Sequence, residues 1–150
     1  MNLSQHFTLA ELTVSETAAR NGIRNDPPID LWPNLRRLAA ALEEARALLN
    51  VPMIVSSGYR CSELNRRVGS KDTSAHVAGL AADFIAPRFG TPAQIVREIA
   101  RSDIDFDQVI LEFGAWVHLG FKPEGEAPRR QVLTIDRRGT QQGIVERAAA

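Results

Sequence analysis

The apolar positions of this chain change period near residue 52, and the change separates a helical first third from a strand-rich remainder. Leu31, Leu35, Leu38, Leu42, Ala45 and Leu48 recur at steps of three and four, with Arg36, Arg37, Glu43, Glu44 and Arg46 largely off that stripe. Such spacing predicts an amphipathic helix laid on a core and ending near Asn50. Pro33 falls in its first turn, where a missing N–H costs little. Upstream, Thr8 and Glu11 have capping-box spacing and predict a short helix. Ser15 opens a second one that Gly22 is suited to close. Pro27 and Pro28 then interrupt the chain.

Past that boundary the apolar runs shorten. Residues 53–57 and 80–86 predict buried strands, residues 107–113 and 116–121 the arms of a hairpin around Gly114-Ala115, and residues 132–135 a last strand. Ser62 is placed to cap a brief helix through Val68. Thr91-Pro92-Ala93-Gln94 repeats the capping-box pattern with proline at the first helical position, opening a helix to about Arg101. Beyond Asp136 the composition turns polar, which predicts a loose tail over about 137–150. Helices first and strands afterwards predict an α+β fold, a mainly antiparallel sheet flanked by helices. The expected organisation is one domain over residues 1–150, with N-terminal helices over about 8–50 and a core over about 53–136.

Composition narrows the function classes. The chain has 150 residues, 44% hydrophobic and 24% charged, which suits one globular domain. Eighteen basic and eighteen acidic side chains cancel. That balance argues against nucleic acid as a partner and against electrostatic steering to a membrane. The single cysteine, Cys61, excludes an intrachain disulfide. No stretch approaches the roughly 18 apolar residues of a membrane-spanning helix. The N-terminus lacks a basic segment followed by an apolar run, so synthesis in the cytoplasm without a signal peptide is expected. A substrate outside the cell would then need a separate factor to release the protein.

The candidate chemistry concentrates between Ser56 and Asp83. His76 and Asp83 stand seven apart among small residues, and His118 follows in W-V-H-L-G-F. Two imidazoles and a carboxylate are a donor set for zinc, which in catalytic sites keeps a fourth position for water. Asp83 lies inside an apolar strand, where a carboxylate is costly unless it is paired or bound to metal; an arginine partner is the other way to satisfy it. His118 alternates with Val117 and Leu119 and so points away from their face.

The string Ser74-x-His76-x-x-Gly79-x-Ala81-x-Asp83, followed about 35 residues later by W-V-H, resembles the zinc D-Ala-D-Ala carboxypeptidase family. That family also contains phage L-alanyl-D-glutamate endolysins and vancomycin-resistance dipeptidases, with a hedgehog-type fold. The S-S-G-Y-R-C-x-E-L-N segment is similar to its arginine-bearing strand and turn. The resemblance spans roughly residues 53–121, and implies that His76, Asp83 and His118 ligate one zinc ion. It also implies that Arg60 contacts a carboxylate or the scissile carbonyl of the peptide; a structural ion pair is the competing role. Ser74 is a candidate substrate contact or a loop fastener.

Many relatives carry an acidic residue three positions before the last histidine, and here that position is Ala115. Glu112 is the nearest carboxylate, six residues before His118, on the same face if both lie on paired strands. Trp116 is a candidate for the substrate cleft. Tyr59 is either an oxyanion donor or packing, while His6 and Cys61 fit local structural roles. The resemblance implies a peptidase acting on peptidoglycan stem peptides, with the bond either terminal D-Ala-D-Ala or internal L-Ala-D-Glu. A monomeric phage or prophage murein hydrolase is the expected context. The competing class is a non-catalytic, zinc-stabilised module that binds a peptide or a protein partner.

Overall fold

A computed structural model describes residues 1–146. The chain forms helix α1 (Glu16–Arg20), a 3-10 turn (Ile29–Leu31), α2 (Trp32–Leu49), β1 (Ile54–Ser57), α3 (Ser62–Arg67), β2 (Ala81–Ile85), α4 (Pro92–Ala100), β3 (Gln108–Glu112), β4 (Trp116–Gly120), β5 (Gln131–Asp136) and β6 (Gly139–Gln142). The strands make one six-stranded sheet in the order β1-β2-β4-β3-β5-β6. It is a mixed sheet: β5 runs parallel to β3, and every other pairing is antiparallel.

The α2 stripe forms as its periodicity predicts, burying Leu35, Leu38, Leu42 and Ala45, with Leu49 rather than Leu48 as the last core residue. Its C-cap, Asn50, takes the left-handed conformation at φ 56°. In α4 the Thr91–Gln94 capping box closes in both directions and Pro92 opens the helix. Both helices lie against one sheet face, made of Ala82, Phe84, Val109, Leu111, Val117 and Leu119.

Four expectations are corrected. The Thr8–Glu11 box does form, with Thr8 N donating to Glu11 Oε1 and Glu11 N to Thr8 Oγ1, yet no helix follows. Tyr59 N donates to Leu12 O at 2.7 Å, which takes the carbonyl a continuing helix would use. The α3 cap is Cys61, whose Sγ accepts from Leu64 N, and not Ser62. β1 is an edge strand rather than a buried one, leaving Ile54 and its partner Ile85 exposed. Where a loose tail was expected, residues 139–142 return as β6 against β5; residues 147–150 of that tail lie outside the described residues.

Candidate metal centre

The second face of the sheet is built differently. Asp83 on β2 is the register partner of His118 on β4, which in turn faces Ile110 on β3. Alternation then puts Glu112 on that same face, diagonal to His118, and the parallel pairing adds Leu133 and Ile135 opposite Ile110 and Glu112. His118, Ile110, Glu112, Leu133 and Ile135 therefore form the floor of a cleft of about 810 Å³.

His76 reaches this floor from a loop. Its Nδ1 donates to Gly58 O at 2.6 Å, since a carbonyl can only accept, and that leaves the Nε2 lone pair free for a ligand. Gly58 is required by a different neighbour, the Leu12 backbone: a Cβ there would sit 2.5 Å from Leu12 O. A β-bulge between Val55 and Ser57 turns the chain into that position. At the other end of the loop, Gly79 takes φ 72° and its N–H donates to His76 O. Ser74 Oγ accepts from His76 N at 3.2 Å, so Ser74 fastens the loop while also lining the cleft.

The three predicted ligands converge. Asp83 Oδ1 lies 3.2 Å from His76 Nε2 and 3.0 Å from His118 Nδ1, and one donor atom from each residue lies within 4.8 Å of the others. All three residues are buried. Ligands bonded at about 2.0–2.1 Å around a tetrahedral ion stand roughly 3.3 Å apart, and the two separations from Asp83 Oδ1 match that spacing. Burial depresses the His76 pKa, which favours the neutral imidazole that a metal needs. For Asp83, burial alone would push the carboxyl up. The adjacent His118 and His76 side chains outweigh it and hold the group well below the usual carboxylate range.

Glu112 Oε1 lies 3.8 Å from His118 Nδ1. Burial, and then the negative charge of Asp83, raises its pKa above the ordinary glutamate value. Ala115, at the position where relatives carry their acid, is exposed in the hairpin turn. Trp116 stands opposite Glu112 in the register and its ring lies 5.6 Å from that of Phe113, but it is not part of the cleft wall. Its indole N–H is buried without a hydrogen bond of normal geometry, though it is near enough to Glu112 to favour the charged carboxyl. Tyr59 is packed in the core. His6 pairs with Glu43 at 2.7 Å, tying the N-terminal segment to α2.

Arg60 lines the cleft but is heavily committed. Its Nε donates to Ser57 Oγ, its Nη1 to Asn65 Oδ1 and Ser70 Oγ, and its Nη2 to Asp83 Oδ2 at 3.2 Å. A guanidinium has five N–H groups, so a single one is left over. Two parallel bonds from this guanidinium to a substrate carboxylate would require breaking this set.

Several residues of the site escaped the sequence reading. Asn65 is fully buried, accepting from Arg60 and donating to Lys71 O at 2.8 Å. An asparagine inside a short helix is a poor helix former, and that was the available signal. Gly120 lacks the Cβ that would lie 3.2 Å from His118 Nε2. Thr140, on the unforeseen β6, joins the cleft wall. At the far end, Arg129 grips Asp107 through Nε and Nη2 at 2.9 and 2.7 Å.

The buried His76, Asp83 and His118 could together hold a metal ion, at an open cleft that Glu112 also lines. The chain matches the Peptidase M15 family over residues 5–120 and belongs to it. No curated protein matches the chain. The matched region takes in His76, Asp83, Glu112 and His118, whereas β5 and β6 lie beyond it. Among the described residues no helix is long and apolar enough to cross a membrane.

Proposed function

We propose that the protein is a zinc peptidase that cuts the stem peptides of bacterial peptidoglycan. The observation that carries this reading is the meeting of His76 Nε2, Asp83 Oδ1 and His118 Nδ1 in a cleft of an M15-family chain. Zinc held there supplies Lewis-acid chemistry, polarising a carbonyl oxygen and making water a stronger acid. Glu112 accepts the proton of the attacking water and returns it to the leaving amine. A raised pKa suits that double duty, because the carboxyl must give up the proton as readily as it takes it.

The peptide lies along the sheet floor, over Ile110 toward Leu133 and Ile135, with Ser74 lining the same cleft. The bond cut is terminal D-Ala-D-Ala or internal L-Ala-D-Glu. The hedgehog-type fold belongs to this reading, as does a monomeric phage or prophage lysis enzyme that a separate factor delivers to the wall. The deciding assay digests muropeptides with the zinc-loaded protein and with Glu112→Ala, identifying products by mass. Release of D-Ala or of stem peptide that disappears in the variant supports the enzyme. Stoichiometric zinc with no turnover of any muropeptide would leave a zinc-stabilised peptide-binding module in its place.

A further inference from the structure

We infer that Arg60 and Asn65 form a positioning device for Asp83, fixing which carboxylate oxygen meets the metal. This inference rests on the zinc-centre reading and goes beyond it in assigning Arg60 to a ligand and not mainly to the substrate. Asp83 divides its two oxygens: Oδ1 faces His76 and His118, while Oδ2 is held by Arg60 Nη2. A carboxylate free to rotate about its Cβ–Cγ bond would present either oxygen, or both. With Oδ2 anchored, it presents one.

The anchor is itself anchored on three sides. Ser57 holds Nε, while Asn65 and Ser70 hold Nη1, so the guanidinium plane is set by β1, α3 and the loop before His76. Asn65 has no exposed surface, and its amide completes the link by donating to Lys71 O at the start of that loop. The Arg60 side chain is only 13% exposed. A residue recruited chiefly for substrate would keep its fork open to the cleft, and here four of the bonds run inward. Arg60 N also donates to His76 O at 3.1 Å, so one residue braces two of the three ligands. Groups that orient metal ligands typically change affinity about 10- to 100-fold when removed.

The test measures zinc affinity by competition with a chromophoric chelator, alongside KM on muropeptide at saturating zinc. Arg60→Gln is expected to weaken zinc about 10- to 100-fold while KM stays within about twofold. Asn65→Ala is expected to weaken zinc in the same direction. Asn65→Asp, which keeps the acceptor for Arg60, is expected to recover part of the loss. Unchanged zinc affinity in Arg60→Gln, with KM raised about tenfold or with no change at all, overturns the proposal. Circular dichroism of the metal-free variants monitors the fold. If Arg60→Gln and Asn65→Ala fail to fold, Ser70→Ala decides: a severalfold loss of zinc affinity supports the device, and wild-type affinity overturns it. A wild-type chain that takes up no zinc overturns the metal centre and this inference together; a wild type that binds while the folded variants bind equally well overturns this inference alone.

Discussion

Asp83 and Phe84 are consecutive on β2 and are buried to nearly the same degree, yet they belong to opposite faces of the sheet. Phe84 sits among Val117, Leu111 and the helices α2 and α4, where close packing satisfies everything it has. Asp83 sits among His76, His118 and Arg60, where every buried polar atom needs a named partner. The core face draws on apolar area and tolerates repacking, since dispersion and hydration are not directional. The cleft face draws on directional bonds between segments far apart in sequence, so small displacements are costly. One face supplies stability, and the other exploits the resulting rigidity to hold charges together that would otherwise move apart or take up water.

The contrast yields variants that separate the two roles. Asp83→Ala is expected to show the largest effect, losing stoichiometric zinc and about a thousandfold or more of muropeptide turnover, because Lewis-acid stabilisation is worth several kcal/mol. Retained zinc with full activity would break the assignment of the cleft face. Glu112→Gln is expected to lower turnover by about a hundredfold or more while zinc affinity stays within a few-fold. A parallel loss of zinc would make Glu112 a ligand-orienting group and not the proton carrier. On the other face, Phe84→Ala is expected to cost about 3–5 kcal/mol of stability, lowering the melting temperature by about 10 °C or more. Zinc affinity measured well below the transition should be unaffected by that change, and a tenfold loss would mean that the two faces are not separable.

A smaller effect tests the far end of the cleft. The hydrogen bonds from Arg129 hold the Asp107 pKa below its ordinary value, even against partial burial. A depressed carboxyl stabilises the fold above the unfolded-state pKa, and that contribution is lost as pH falls through the folded value. Arg129 is half exposed, so Arg129→Ala is expected to cost about 1 kcal/mol near neutral pH. The gap between the two melting curves should close in acid. A gap of constant size from neutral pH to pH 2 would show that Arg129 acts through packing alone.

Much of the fold was legible because its signals are local. The α2 stripe, the Thr91–Gln94 box and the Leu80–Ala86 run each depend on residues within one or two turns of one another. The Thr8–Glu11 box shows the limit: its bonds form, but a tertiary bond from Tyr59 to Leu12 removes the helix it announces. β6 was missed because Thr140 and Gln142 carry no apolar alternation, and the strand exists through pairing with β5. The parallel course of β5 was equally invisible, as strand direction is set by the path of the intervening chain.

For the site, the residue types of Ser74 to Asp83 and of W-V-H made zinc one reading among others, and the resemblance of that string to a known peptidase family made it the leading one. What only the tertiary structure decided is how those groups are held. It brought residues 83 and 118 into register, placed Glu112 diagonally beside them, and turned Arg60 inward onto Asp83, Ser57, Asn65 and Ser70. The donor types belong to single side chains, which a sequence states outright. Partnership follows from distances between residues 23 to 35 positions apart in sequence, which exist only once the sheet has closed.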